Sequence, residues 1–246
     1  MNTRGNTILI TGGATGIGFA FAEAFARLGN KVIICGRREP KLSEAKARLP
    51  DIVTRVCDLS KPDEREQLHK WITDNVRNIN MLINNAGIQR LIDLKKGISE
   101  LNNGEDEVEI NLKAQIHLCA LFIPDFLKTK EAAIVNISSG LGFVPLAGAP
   151  IYCATKAAIH SYSLSLRHQL RGTSIKVFEI IPPIVNTELG GPEKKIQRTG
   201  IPPSQVAKES MQAFENNIFE FAIGMAEGLR VGSRQNPEET FQRMNH

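Results

Sequence analysis

A chain of 246 residues, 42% hydrophobic and 23% charged, is long enough to bury a sizeable core as one domain of ordinary size or two small ones. Its net charge of +4 is modest and its basic residues interleave with acids, which argues against a nucleic-acid surface, and no apolar run is long enough to cross a bilayer. Cys35, Cys57, Cys119 and Cys153 form no C-x-x-C pair and the five histidines share no ligand spacing, so the composition suggests no metal site and fits reduced thiols in a cytoplasm, with no signal-peptide stretch at the N-terminus.

The first strand is expected over residues 6–10, running into Thr11-Gly12-Gly13-Ala14-Thr15-Gly16-Ile17-Gly18 and then a helix carrying Phe19, Phe21, Ala22, Phe25 and Leu28. Gly29 closes that helix as a left-handed cap would. A strand, glycine turn and helix in this order present backbone N–H groups and the positive helix end to a pyrophosphate. The second strand, 31–35, ends at Gly36-Arg37-Arg38, where a dinucleotide site that prefers NAD would place a carboxylate for the adenosine ribose. With glycine there instead, and two guanidiniums able to bind a phosphate, NADPH is the expected cofactor and NAD the alternative. Two solvated arginines opening a helix are the bland reading of the same residues.

A short polar helix over 41–49, a strand over 54–57 and a helix over 63–76 with Leu68, Trp71, Ile72 and Val76 on one stripe follow. The fourth strand, 81–83, delivers Asn84-Asn85-Ala86-Gly87 to the sheet edge where open parallel sheets bind ligands. Residues 88–104 read as a pocket-rim loop, and 105–127 as a long helix. That helix is apolar nearly all round from Ile110 to Ile123, which implies a second buried face and hence a homodimer or homotetramer. A fifth strand ends at Ser138 and Ser139, residues 140–150 face the substrate, and a helix over 151–170 closes with Arg171-Gly172. A sixth strand, 174–181, a mobile lid over 188–203, a helix over 204–214 and a last edge strand over 220–224 complete the pattern; the tail 225–246 shows none of its own.

Tyr152 and Lys156 stand four residues apart, on one helix face. A fixed ammonium beside a phenol favours the phenolate, which brings Tyr152 into range for proton exchange near neutral pH. Such a pair alone is weak evidence, since any amphipathic helix can carry one. Ser139, thirteen positions upstream at a strand end, adds a hydroxyl able to hold a carbonyl oxygen over the same pocket.

The set resembles the short-chain dehydrogenase/reductase family over nearly the whole chain: the glycine turn spaced G-x-x-x-G-x-G, Asn84 to Gly87, Asn111, Ser139 and Tyr152/Lys156 all fall in that family's order. The wording around 88–90 and 139–141 and the Asn245 ending is similar to bacterial members named for cell-wall D-alanylation gene clusters. The resemblance implies a catalytic set of Asn111, Ser139, Tyr152 and Lys156, with Asn111 holding a water that links the lysine to solvent. It assigns the cofactor to Gly12, Thr15, Gly16, Ile17, Gly18, Arg37, Arg38, Asp58, Leu59, Asn85, Ala86, Gly87, Pro182, Val185 and Thr187, together with Tyr152 and Lys156, and leaves Ser138 as a cofactor-side neighbour. Pro183 replaces the family's usual glycine and removes a backbone donor from the nicotinamide side.

The expected architecture is one α/β domain over residues 1–246, a doubly wound Rossmann-type sheet of about seven mostly parallel strands with helices on both faces. The expected activity is NADP-dependent hydride transfer between nicotinamide and a carbonyl or secondary alcohol of a small molecule. An NAD-linked oxidative enzyme and a non-catalytic dinucleotide sensor are the alternatives, and the complete set of four residues argues against the sensor.

Overall fold

The structure, a computed structural model, describes residues 1–189 and 200–246. Seven parallel strands form one sheet in the order β3-β2-β1-β4-β5-β6-β7. They are β1 (Thr7–Thr11), β2 (Lys31–Gly36), β3 (Val53–Val56), β4 (Ile79–Asn84), β5 (Ala132–Ile137), β6 (Ile175–Ile181) and β7 (Glu220–Ala222). The central strands are apolar on both faces because each face is covered by helices. Alternation along β1 divides the core: Ile8 and Ile10 pack with Phe21, Phe25 and Phe214 on one side, Leu9 with Leu118, Phe122 and Phe126 on the other.

The first helical layer holds α1 (Gly16–Arg27), α2 (Glu39–Arg48) and α7 (Pro203–Glu215); the second holds α3 (Pro62–Asn75), α5 (Ala114–Phe126) and α6 (Pro150–Gln169). Pro at the first turn of α2, α3, α6 and α7 fixes four of these starts, since a first-turn residue has no helical acceptor to lose. Gly29 takes φ +76° just past α1, as a left-handed terminus requires. Winding from β1 outward to β3 and then back to β4 opens a crevice between β1 and β4 at the carboxyl ends of the strands.

Three segments differ from the sequence expectation. The rim over 88–104 contains a short helix, α4 (Ile98–Asn102), whose carbonyl end is gathered by the Arg90 guanidinium, bonded to the carbonyls of Glu100, Leu101, Asn103 and Glu105. One distant arginine supplies the ordering that local periodicity does not show. The tail folds as α8 (Met225–Gln235) and α9 (Pro237–Asn245), which are amphipathic but short, and α8 carries two glycines, so neither stands out in sequence. The expected helix over 105–127 is interrupted by a π turn over Glu109–Lys113, after which α5 buries Ala114, Gln115, Leu118, Cys119, Phe122 and Phe126 within this chain. Ile116 on α5 and Leu127 just past its end are exposed. Most of the segment expected as a lid, residues 190–199, lies outside the described residues.

Candidate active site

The glycine turn is set by close approaches of backbone. Gly12 and Gly16 adopt φ of +62° and +56°, and a Cβ on Gly18 would sit 2.4 Å from the Gly12 carbonyl oxygen. Thr11 Oγ1 accepts from the N–H groups of Asn85 and Ala86 at 3.0 Å each, and Asn85 Nδ2 donates to the Thr11 carbonyl at 2.9 Å. The turn is thereby tied to the end of β4. Thr15 makes no side-chain cap on α1 and no acid lies in the first helical turn, so the N–H groups and dipole there fit a phosphate. Ile17 packs against the core beneath, and a cleft of about 580 Å³ opens beside Thr15, Gly16, Asn186, Thr187 and Glu188.

At the end of β2, Arg37 pairs with Glu105, and Arg38 lies 3.0 Å from Glu188 and 3.4 Å from Thr15 Oγ1. Both arginines are exposed, so a phosphate entering here would compete with a carboxylate at each. Asp58 accepts from the Ser60 N–H at 3.0 Å and the Ser60 hydroxyl at 2.8 Å. Burial pushes its carboxyl up, but those two bonds and the Arg37 charge bring it below the ordinary range, so it is an anion, with the buried Leu59 beside it. Beyond β6, Pro182 accepts from the Gly140 N–H at 3.2 Å, and Val185 is buried and bridges to Ile201.

Two of the proposed catalytic side chains, Asn111 and Lys156, come together at Gly87. A Cβ there would lie 3.3 Å from Asn111 Oδ1 and 3.7 Å from Lys156 Nζ. Lys156 is buried, its Nζ donates to the Ile137 carbonyl at 2.7 Å, and it stands 5.6 Å from the centroid of the Tyr152 ring. Burial lowers its ammonium to about 8, with attraction to Glu179 opposing the fall. Tyr152 forms a small apolar cluster with Ala149 and Cys153, against which Leu141, Leu146 and Leu189 pack. Ser139 Oγ accepts from the Leu141 N–H at 3.1 Å, starting the 3-10 turn Gly140–Gly142, and among the described residues nothing takes its hydroxyl hydrogen. Gly142 lets that turn touch α6: a Cβ there would lie 2.9 Å from the Lys156 carbonyl carbon.

Asn111 sits inside the π turn, a distortion that re-aims a side chain. It accepts from the Ile88 N–H and donates to the Ile88 carbonyl, both at 2.8 Å, and approaches Thr155 Oγ1 at 3.3 Å. A bond to its own helix, the ordinary fate of an asparagine, is not what it makes. The Ser138 hydroxyl donates to Glu179 Oε1 at 2.5 Å, a partner that the sequence reading did not foresee. Glu179 itself escaped sequence reasoning, although an acid inside the apolar run of β6 was a visible signal. Asn245 was singled out only by resemblance; it accepts from the Ala147 N–H and donates to the Pro145 carbonyl, clipping α9 to the loop that follows Ser139.

Known proteins resemble this chain in sequence and in fold. The uncharacterized oxidoreductase DltE of Bacillus subtilis (strain 168) is 46% identical over 248 residues, covering 100% of this chain and 98% of that protein. The NADP-dependent 3-hydroxy acid dehydrogenase YdfG of Escherichia coli O6:H1 is 30% identical over 199 residues, covering 78% and 80%. Among solved structures, a short chain dehydrogenase/reductase from Burkholderia phymatum in complex with NAD superposes with a TM-score of 0.86 at 22% identity, covering 100% and 97%. The model of the family described as short chain dehydrogenase matches residues 6–197. A glycine turn on the first strand, seven parallel strands and a family match over most of its length identify this chain as a member of the short-chain dehydrogenase/reductase family, an NAD(P)-dependent oxidoreductase.

Proposed function

We propose that the chain is an NADP-preferring enzyme that interconverts a carbonyl and a secondary alcohol on a small molecule, with Asn111, Ser139, Tyr152 and Lys156 as its working residues. The observation that carries this is the convergence of Lys156 and Asn111 on Gly87 with the Tyr152 ring one helical turn away. In the reductive direction the Ser139 hydroxyl donates a hydrogen bond to the carbonyl oxygen and the Tyr152 hydroxyl gives that oxygen its proton. A bound nicotinamide would supply the hydride. Lys156 spends one donor on Ile137; its other two are free to hold the nicotinamide ribose while its charge favours the phenolate that Tyr152 becomes. Asn111 fixes Ile88 and so the Gly87 edge of the crevice, and the relay water that the family resemblance implies between Lys156 and solvent would be held at Asn111.

Gly12, Thr15, Gly16, Ile17 and Gly18 would hold the pyrophosphate, Asp58 and Leu59 the adenine, and Asn85, Ala86, Gly87, Pro182, Val185 and Thr187 the inner half of the dinucleotide. Arg37 and Arg38 would take a 2′-phosphate, with Glu105 and Glu188 giving way. NADP is favoured because no carboxylate ends β2, and a 30% identical relative bears an NADP-dependent name. The exposed Ile116 on α5, Leu127 just past its end and Leu164 on α6 support an oligomer built through these helices. Four buried free cysteines fit a reducing cytoplasm, and among the described residues no helix is long and apolar enough to cross a membrane. The test is label transfer from nicotinamide-tritiated NADPH to a panel of ketones, aldehydes and keto acids, with Tyr152→Phe as control. Label in an alcohol product from wild type alone supports the reading; tight NADPH binding with no labelled product from any carbonyl overturns it in favour of a sensor.

A further inference from the structure

Glu179, in the middle of β6, is fully buried. A carboxylate removed from water is tolerated only where hydrogen bonds and opposite charge replace its hydration. Its two oxygens reach two elements of the site. Oε1 accepts from Ser138, between β5 and the Ser139 turn, and Oε2 lies 2.8 Å from Nδ1 of His160, one turn beyond Lys156 on α6. Phe143, closing the Ser139 turn, packs on the His160 ring with centroids 4.6 Å apart. The same carboxylate raises His160 through that bond and opposes the burial that lowers Lys156.

The remaining charges around it are accounted for. Glu220 on β7 raises His160 further and Arg234 on α8 lowers it, while Arg230 on α8 engages Glu220 at 3.4 Å. Arg167 on α6 is lowered by its own burial and held up by Glu179 and Glu220. His160, Glu179 and Glu220 present ligand atoms within 4.8 Å of one another, a spacing a cation could bridge, but Ser138 and Arg230 already engage the two carboxylates.

Resting on the catalytic reading above, we propose that Glu179 is a positioning residue: its carboxylate, held between Ser138 and His160, braces the Ser139 turn against α6 one helical turn from Lys156, whose ammonium its negative charge favours. It touches neither substrate nor dinucleotide. It acts through the lysine, so its removal should alter the pH dependence of the site rather than scale activity uniformly.

The experiment is NMR titration of selectively labelled lysine and histidine side chains in wild type, Glu179→Gln and His160→Asn, with the pH profile of carbonyl reduction measured beside it. In wild type, His160 should titrate above 6.5 and Lys156 near about 8. In Glu179→Gln both midpoints should fall, and the alkaline limb of kcat should move to lower pH, with at least about a tenfold loss at the wild-type limb. His160→Asn keeps the carboxylate, so Lys156 should titrate no lower than in wild type. Unmoved midpoints in Glu179→Gln, or activity lost equally at every pH, would overturn the proposal. Should that variant not fold, wild-type His160 titrating at or below 6.5 would overturn it, and a higher midpoint with Lys156 undiminished in His160→Asn would support it. If wild type reduces no carbonyl, the catalytic reading fails, while the two midpoints still decide whether Glu179 sets the charge of Lys156.

Discussion

Lys156→Met separates what the site does for chemistry from what it costs the fold. Held at about 8 rather than the ordinary 10.5, the buried ammonium destabilises the folded chain by about 3 kcal/mol at neutral pH. Methionine matches the lysine stem in length and removes the charge, but leaves the Ile137 carbonyl without its donor, a loss of about 1–2 kcal/mol. The balance is a variant about 1–2 kcal/mol more stable than wild type, which for a chain of this size raises Tm by about 2–8 °C. Because the folded value lies below the unfolded one, the penalty is complete below about 8 and is relieved as the pH rises toward 10.5. The advantage of the variant should therefore be largest at pH below about 8 and shrink above it. Calorimetry of ligand-free protein across that range is the assay, with turnover followed in parallel and expected to fall about a hundredfold or more. A variant less stable than wild type at neutral pH, or a difference that ignores pH, would refute the reasoning that Lys156 is a strained buried cation kept for function.

Other outcomes follow from the same geometry. Gly18→Ala drives a methyl to 2.4 Å from the Gly12 carbonyl oxygen and 2.5 Å from Asn85 Nδ2, so dinucleotide affinity measured by fluorescence titration should drop at least about tenfold. Asn111→Ala frees both backbone groups of Ile88 and should cost about 2–4 kcal/mol in urea unfolding, with activity lost as the Gly87 edge moves. Arg37→Ala and Arg38→Ala should each weaken NADPH by about tenfold and leave NADH unchanged; equal effects on both cofactors would remove the assignment of these guanidiniums to a 2′-phosphate.

The sheet was legible because each of its strands is a short apolar run bounded by turn chemistry, and glycines such as Gly29 punctuate the helices. All seven strands appear within a few residues of the expected positions. What stayed hidden depends on partners far away in sequence. The order of α4 rests on Arg90, the placement of α9 on Asn245 reaching back to Pro145 and Ala147, and the π turn around Asn111 on bonds to Ile88. Periodicity carries none of these, because each is a polar contact between elements rather than a pattern within one. The motif residues could be named from their spacing, but the direction of Ser138 could not. Its hydroxyl turns to a buried carboxylate two elements later, and that partner is visible only once β5 and β6 are side by side.

A crystal structure of the NADP complex bears most directly on the central claim, that Tyr152 and Lys156 form a proton-transfer pair at the nicotinamide. The account predicts the nicotinamide ring in the crevice between β1 and β4, with the Tyr152 hydroxyl and Ser139 Oγ facing its reactive edge and Lys156 Nζ within hydrogen-bond distance of the adjoining ribose. A dinucleotide whose nicotinamide end lies elsewhere, with Lys156 still bonded only to Ile137, would contradict it.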